Sequence, residues 1–204
     1  MNVPAIARKS FEELRQQTAF INIVNFVVEQ LSRASSLVVR AKLIHGVVDE
    51  FNKEIFSHPL VKELSPCKQG CSACCHTQVS VTSDEADLLV QRIEAGVEIN
   101  LDRLRLQMAT KDDSREFFKL SYEDRKCIFL DGSGSCSVYE DRPSVCRTNA
   151  VLGSAQQCET GDTQGQLRLV KTPKADMAIY AAYLCSKESG SLPNMLGKRL
   201  GLGD

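Results

Sequence analysis

Ten residues, Cys67-Lys-Gln-Gly-Cys71-Ser-Ala-Cys74-Cys75-His76, hold four cysteines and a histidine, and they constrain this chain more than any other stretch. Gly70 tolerates positive φ, so the backbone can turn tightly here and bring several thiols toward one point. Cys127, Cys136, Cys146 and Cys158 follow, and Cys185 brings the total to nine. No cysteine precedes Cys67. An odd count argues against a complete disulfide framework. The opening Met1-Asn-Val-Pro-Ala-Ile-Ala-Arg-Lys has too short an apolar run for a secretion signal, so a cytoplasmic location is expected. Disulfides are disfavoured there, and clustered cysteines bind metal or do redox chemistry.

Composition adds exclusions. The 204 residues are 43% hydrophobic and 25% charged, ordinary values for a folded domain. A net charge of -1 gives no basic footprint for a nucleic-acid partner. No apolar run reaches membrane-spanning length, so no membrane segment is expected.

Around the cysteines the pattern is helical. Phe11, Leu14, Ile21, Val24, Val28 and Leu31, widened by Phe20 and Val27, predict one amphipathic helix over 8–33. Leu37, Ala41, Ile44, Val48, Phe51 and Ile55 predict a second over 36–57, with Ser35 or Ser36 as its N-cap. The two form an antiparallel hairpin whose stripes face a core; a protein partner or a homodimer seam is the alternative use of those stripes. His45 and His58 have no second ligand at metal spacing and read as surface or packing histidines. Pro59 and Pro66 predict loop from 58 to 76.

Gln78 to Thr82 alternates as a short strand. Thr82 or Ser83 followed by Asp84 and Glu85 starts a helix over 84–95 that stops near Gly96. Asn100 caps a further helix, and 113–121 adds a short one. The two apolar segments flanking Asp131-Gly-Ser-Gly predict a hairpin that sets Cys127 beside Cys136. Arg142-Pro143 turns the chain to present Cys146. Residues 151–165 read as loop carrying Cys158, 167–171 as a strand, and Thr172-Pro173 as the start of a last helix to about Lys187. The fold class is therefore mainly α with a short β-hairpin and cysteine-rich loops, an N-terminal helical hairpin packing on a small metal-binding domain. The expected divisions are 1–60 for the hairpin, 61–188 for the cysteine domain and 189–204 for a flexible, glycine-rich tail.

Eight thiols in two groups, Cys67, Cys71, Cys74 and Cys75, then Cys127, Cys136, Cys146 and Cys158, are the candidate metal ligands, with His76 a ninth. Eight suffice for two four-ligand sites, or for one site with spares. In an extended stretch Cys74 and Cys75 point to opposite sides, which disfavours their sharing one ion. Cys185, among Ala181, Ala182 and Leu184, reads as a small buried apolar residue. Arg142 and Arg147 either balance thiolate charge or pair with Glu140 and Asp141. The spacing matches neither paired C-x2-C zinc ribbons nor the bacterial ferredoxin run. Ligands drawn from distant loops favour an iron–sulfur cluster, [4Fe–4S], over zinc. Cys67-x3-Cys71-x2-Cys74 has the spacing of the radical S-adenosylmethionine loop, but Ala73 replaces its aromatic residue and no strand–helix repeat comes after it.

Cys67-x3-Cys71-x2-Cys74-Cys75, then Cys127-Ile-Phe-Leu-Asp and Gly-Ser-Cys136-Ser-Val-Tyr-Glu-Asp-Arg-Pro-x2-Cys146-Arg147, resembles the YkgJ-type cysteine-cluster family of zinc- or iron-chelating domains. The likeness spans about 67–158, in several blocks in the right order. Val79-x-Val-Thr followed by Glu85-Ala86 extends it. The resemblance implies a small metal-binding domain. A similar cysteine block in flagellin lysine N-methylases implies, as an alternative, an iron–sulfur-dependent protein-modifying enzyme such as a lysine N-methyltransferase.

Overall fold

A computed structural model describes residues 3–68, 70–154, 158 and 168–202. Four helices open the chain: α1 (Ala5–Leu14), α2 (Thr18–Arg33), α3 (Leu37–Ser57) and α4 (Pro59–Leu64). The single helix expected over 8–33 is thus two. Gln17 adopts an extended backbone, and its carbonyl accepts from the amides of Phe20 and Ile21 to start α2. This interruption resets the helical phase. The buried stripe of α2 runs through Val24, Val27 and Leu31, and Val28 lies on the exposed side. Ser36 caps α3 as expected, its hydroxyl accepting from the Val39 amide.

The region expected as loop after 58 contains α4. Pro59 does not break the chain there but occupies the first turn of the helix, where its missing N–H costs nothing, and the His58 ring accepts from the Leu60 amide. Beyond the cysteine stretch, β1 (Ser80–Thr82) leads into α5 (Ser83–Glu94), then α6 (Leu101–Met108) and α7 (Ser114–Lys119). Thr82 and Glu85 form a reciprocal capping box at the start of α5, and Asn100 caps α6. Next come α8 (Ser144–Thr148), β2 (Val151–Leu152), β3 (Arg168–Leu169), α9 (Pro173–Cys185), β4 (Ser189–Ser191) and α10 (Leu192–Arg199). β2 pairs antiparallel with β3, Val151 opposite Leu169. Most of the loop expected over 151–165, and the first residue of the strand expected over 167–171, lie outside the described residues.

Two apolar cores organise these elements. In the first, α1, α2 and α3 surround α9, which is apolar on most of its circumference: Ala175, Met177, Ala178, Ile179, Ala181, Ala182 and Tyr183 are all buried. α2 and α3 touch each other less than either touches α9, and α3 also packs on α5 and α8. Phe11 of α1 stacks on Tyr180 at 3.9 Å between ring centres. The second core joins Val81, Ala86, Leu89 and Leu104 to Ile128, Phe129 and Val138.

The second core also takes in Leu192, Met195 and Leu196, which corrects the expectation of a flexible tail over 189–204. β4 pairs antiparallel with β1, Val81 opposite Gly190, and the Asp112 carboxylate accepts from the Ser191 amide. The glycines suggested looseness, but Gly197 is a packing residue: a Cβ there would overlap the Met108 side chain. Arg40 binds four elements together, reaching Asp84 on α5, the Leu31 carbonyl on α2 and the Cys185 carbonyl on α9 from its place on α3. No helix among the described residues is long and apolar enough to cross a membrane.

Candidate metal centre

The first cysteine block is a pair of turns. The Cys71 amide donates to the Lys68 carbonyl at 2.9 Å, a turn that Gly70 closes at φ +88°. Residues Ala73–His76 then form one turn of 3-10 helix. The Cys75 amide donates to Ser72, and both the amide and the hydroxyl of Thr77 donate to the Cys74 carbonyl. Cys74 and Cys75 are therefore not in extended backbone, and the opposite-sides argument fails: in the tight turn their thiols hydrogen-bond each other.

The second block folds onto the first through its backbone, the Cys127 amide donating to the Cys75 carbonyl at 2.7 Å. The segment between Cys127 and Cys136 is less regular than the expected hairpin. One bridge pairs Leu130 with Cys136, and the Asp131 carboxylate closes the loop by accepting from the Ser133 amide and hydroxyl and the Ser135 amide. The turn Tyr139–Asp141 and Pro143 then lead into α8, which carries Cys146, its amide bonded to the Pro143 carbonyl.

Four thiols share one electrostatic neighbourhood. The hydrogen bond with Cys75, and then burial, push the Cys74 thiol far above its usual range. Burial pushes Cys127 up to about 11, with Cys136 and Cys74 adding to the effect, and raises Cys136 as well. Cys146 is raised well above the ordinary thiol value by burial, then by the charges of Cys127, Cys74, Cys136 and Glu85. Arg142 acts against this at Cys74 and Cys136. Cys67, Cys71, Cys74 and Cys158 line one pocket together with Asn149 and Val151. The Val151 amide donates to Cys67 Sγ at 3.4 Å. Cys74 thus stands where the pocket meets the buried thiols.

Such a set is protonated at neutral pH until a cation displaces the protons, because ionising several buried neighbouring thiols together is costly. A soft, thiolate-loving metal is what this donor set fits. Among the described residues, no three Cys, His, Asp or Glu side chains are already gathered closely enough to hold an ion. The donors fit in kind and neighbourhood, and binding must draw the sulfurs together.

The remaining candidates separate. His76 is buried and stacks flat on Tyr122, ring centres 4.0 Å apart. Cys185 is half-buried at the end of α9, packed against the first core. Arg142 lies over the Tyr139 ring at 3.9 Å and faces the thiols, whereas Arg147 pairs with Asp49 and donates to the Arg142 and Glu140 carbonyls.

Residues 66–167, half of the chain, match the family model CxxCxxCC, "Putative zinc- or iron-chelating domain". The chain belongs to this family. The match takes in every cysteine except Cys185. No curated protein and no solved structure matches the chain.

The CxxCxxCC domain is anchored by Glu85, which the sequence presents as a first-turn acid of α5 and as part of the family likeness, with no partner named. Glu85 is 1% exposed. One of its oxygens accepts from the Thr82 amide and hydroxyl, and the other meets His45 Nε2 at 3.3 Å and the Ser144 amide at 2.6 Å. Burial alone would raise its pKa, but the bond and charge of His45, with the Ser144 and Thr82 amides, hold it down at about 2. Glu85 thereby fastens the start of α8, and with it Cys146, to the N-terminal helices. Asn52 adds a second tie, donating to the Arg147 carbonyl. The available signal was a polar stripe on α3: His45, Asp49 and Asn52 recur at helical spacing beside Ile44 and Val48.

Proposed function

We propose that this chain holds an iron–sulfur cluster, [4Fe–4S], through the thiolates of Cys74, Cys127, Cys136 and Cys146, and that its role is that of a cluster-binding protein. The observation that carries the reading is that the Cys74 and Cys136 thiols act on both Cys127 and Cys146, so that thiols from two separate blocks of sequence share one neighbourhood, beside the bond from the Cys127 amide to the Cys75 carbonyl. All-cysteine ligation suits such a cluster, whose chemistry when bound is the uptake and release of an electron. The chain's own residues supply the setting. Burial limits access of water to the sulfurs, and the Arg142 guanidinium offsets part of the negative charge that four thiolates bring together. Cys75 supports the set through its bond to Cys74, and Cys67, Cys71 and Cys158 line the approach.

Anaerobic purification with absorption spectroscopy and metal analysis tests this. A brown protein with iron and acid-labile sulfide in cluster stoichiometry is expected. A colourless protein with stoichiometric zinc overturns the cluster, and Cys146→Ser with full metal content overturns the ligand set.

A further inference from the structure

Among the described residues two arginines are buried, and their surroundings differ. Arg147 pairs with Asp49 and donates to two backbone carbonyls. Arg125 is 9% exposed, its Nε is buried, and no N–H of its guanidinium finds an acceptor among the described residues. What surrounds it is aromatic. The guanidinium carbon lies 5.2 Å from the centre of the Phe118 ring and 5.6 Å from that of Tyr122. Ring faces attract a guanidinium, but they give its fork of N–H donors no oxygen to bind.

The position is braced. Gln107, itself buried, donates to the Asp124 and Lys126 carbonyls on either side, at 2.8 and 2.9 Å. The Arg125 amide donates to the Ser121 carbonyl, and Tyr122 stacks flat on His76. A guanidinium that is desolvated, fixed in place and unpaired is costly, and such pre-organisation favours a ligand that brings the missing charge. The neighbours narrow its chemistry. Glu123 and Asp124 precede Arg125 and Lys126 follows it, so the segment has no surplus of positive charge for a dianion such as phosphate. A singly charged, planar carboxylate matches the fork in charge and in shape. Phe118 beside it is 47% exposed, an apolar surface next to the cation.

We propose that Arg125 anchors a binding site for an organic carboxylate carrying an apolar group, the carboxylate on the guanidinium and the apolar group on Phe118. The site uses no thiol and does not depend on the metal centre. It gives the unpaired cation a counter-charge and the exposed ring a cover.

Calorimetric titration of the full chain tests this with phenylacetate, its uncharged analogue phenylacetamide, N-acetyl-glycyl-phenylalanine and inorganic phosphate. Both carboxylates are expected to bind saturably. Phenylacetamide should bind at least about tenfold more weakly, the least that losing a hydrogen bond to a charged group costs. Tighter binding of the peptide than of phenylacetate marks a peptide C-terminus as the source of the carboxylate; the reverse marks a small acid. Arg125→Lys keeps a positive charge beside the rings but not the fork, and should weaken both carboxylates about tenfold or more. Phe118→Ala changes an exposed residue and should weaken them too, so the proposal stays open to refutation if the arginine variant does not fold. Arg115→Gln, at an exposed arginine already paired with Asp113, should leave binding unchanged. The proposal is overturned if no carboxylate binds saturably, if phenylacetamide binds as well as phenylacetate, or if phosphate binds more tightly than both carboxylates. Carboxylate binding that survives Arg125→Lys and Phe118→Ala unchanged overturns it as well.

Discussion

The core around α9 closes with side chains alone: Val27 and Leu31 from α2, Ile44 and Val48 from α3, Met177 and Ile179 from α9 itself. The thiol-bearing half is made differently. Its strands are two or three residues long, α8 has five residues, and the segment from Cys127 to Cys136 is held by one bridge and an aspartate-closed turn. Apolar burial at roughly 25 cal/mol per Å² can fix the first region unaided. The second has apolar support from Ile128, Phe129 and Val138, and Cys127 and Cys136 are themselves part of the packing against it. The helical frame and the thiol-bearing half meet along α3, through Arg40 with Asp84, His45 with Glu85, Asp49 with Arg147 and Asn52 with the Arg147 carbonyl, and the expectation is that the frame holds without metal while the thiol face does not.

The largest expected effect comes from stripping metal under reducing conditions. Structural thiolate sites supply on the order of 10 kcal/mol of folding free energy. Hydrogen exchange should show amides of 71–77 and 127–148 losing protection while α2, α3 and α9 keep theirs; equal loss in both regions would end the distinction between them. Glu85→Gln cuts the main joint and should cost about 3–5 kcal/mol at neutral pH, as expected for breaking a buried pair, read from the denaturant midpoint. The same variant changes the acid limb. Glu85 is lowered from 4.5 to about 2, so its contribution is complete above pH 4.5 and drains as pH falls toward 2; the variant should lack that part of the decline. Ile44→Ala should cost about 3 kcal/mol, and by the same amount with and without metal if the frame is independent. Gly197→Ala is the mildest. The flexible Met108 side chain has to move aside, at about 1 kcal/mol, and a neutral result by thermal melting would mean α10 packs less closely on α6 than the structure has it.

How much could be read from the sequence depends on the range of the forces involved. Caps and helix periodicity are local, so Ser36, Thr82 with Glu85, and Asn100 declared their helices correctly. The break at Gln17 was hidden because the apolar residues on either side keep nearly helical spacing across it. The candidate ligands stand out in the sequence as a set, since thiols in blocks have few uses; their neighbourhood does not, because it depends on Cys127 bonding back to Cys75 across more than fifty residues of chain. The C-terminal stretch misled for a related reason. Gly190 pairs with Val81 and Gly197 packs on Met108, and nothing near either glycine in sequence announces a partner so distant. His45 belongs to a polar stripe on α3 whose partner the sequence does not name, and only the fold sets it against Glu85.

The pairing of β1 with β4 also sets an order of events. Both thiol blocks leave the ribosome before α9, β4 and α10 exist, so the newborn chain exposes its cysteines while the helix that carries Tyr183 and the strand that backs Val81 are still unmade. Domains fold as units during synthesis, and this one cannot complete its frame until the last of these elements appears. Metal uptake is thereby tied to the end of translation, and a ribosome stalled just past Cys158 would present every candidate ligand before the frame behind them exists.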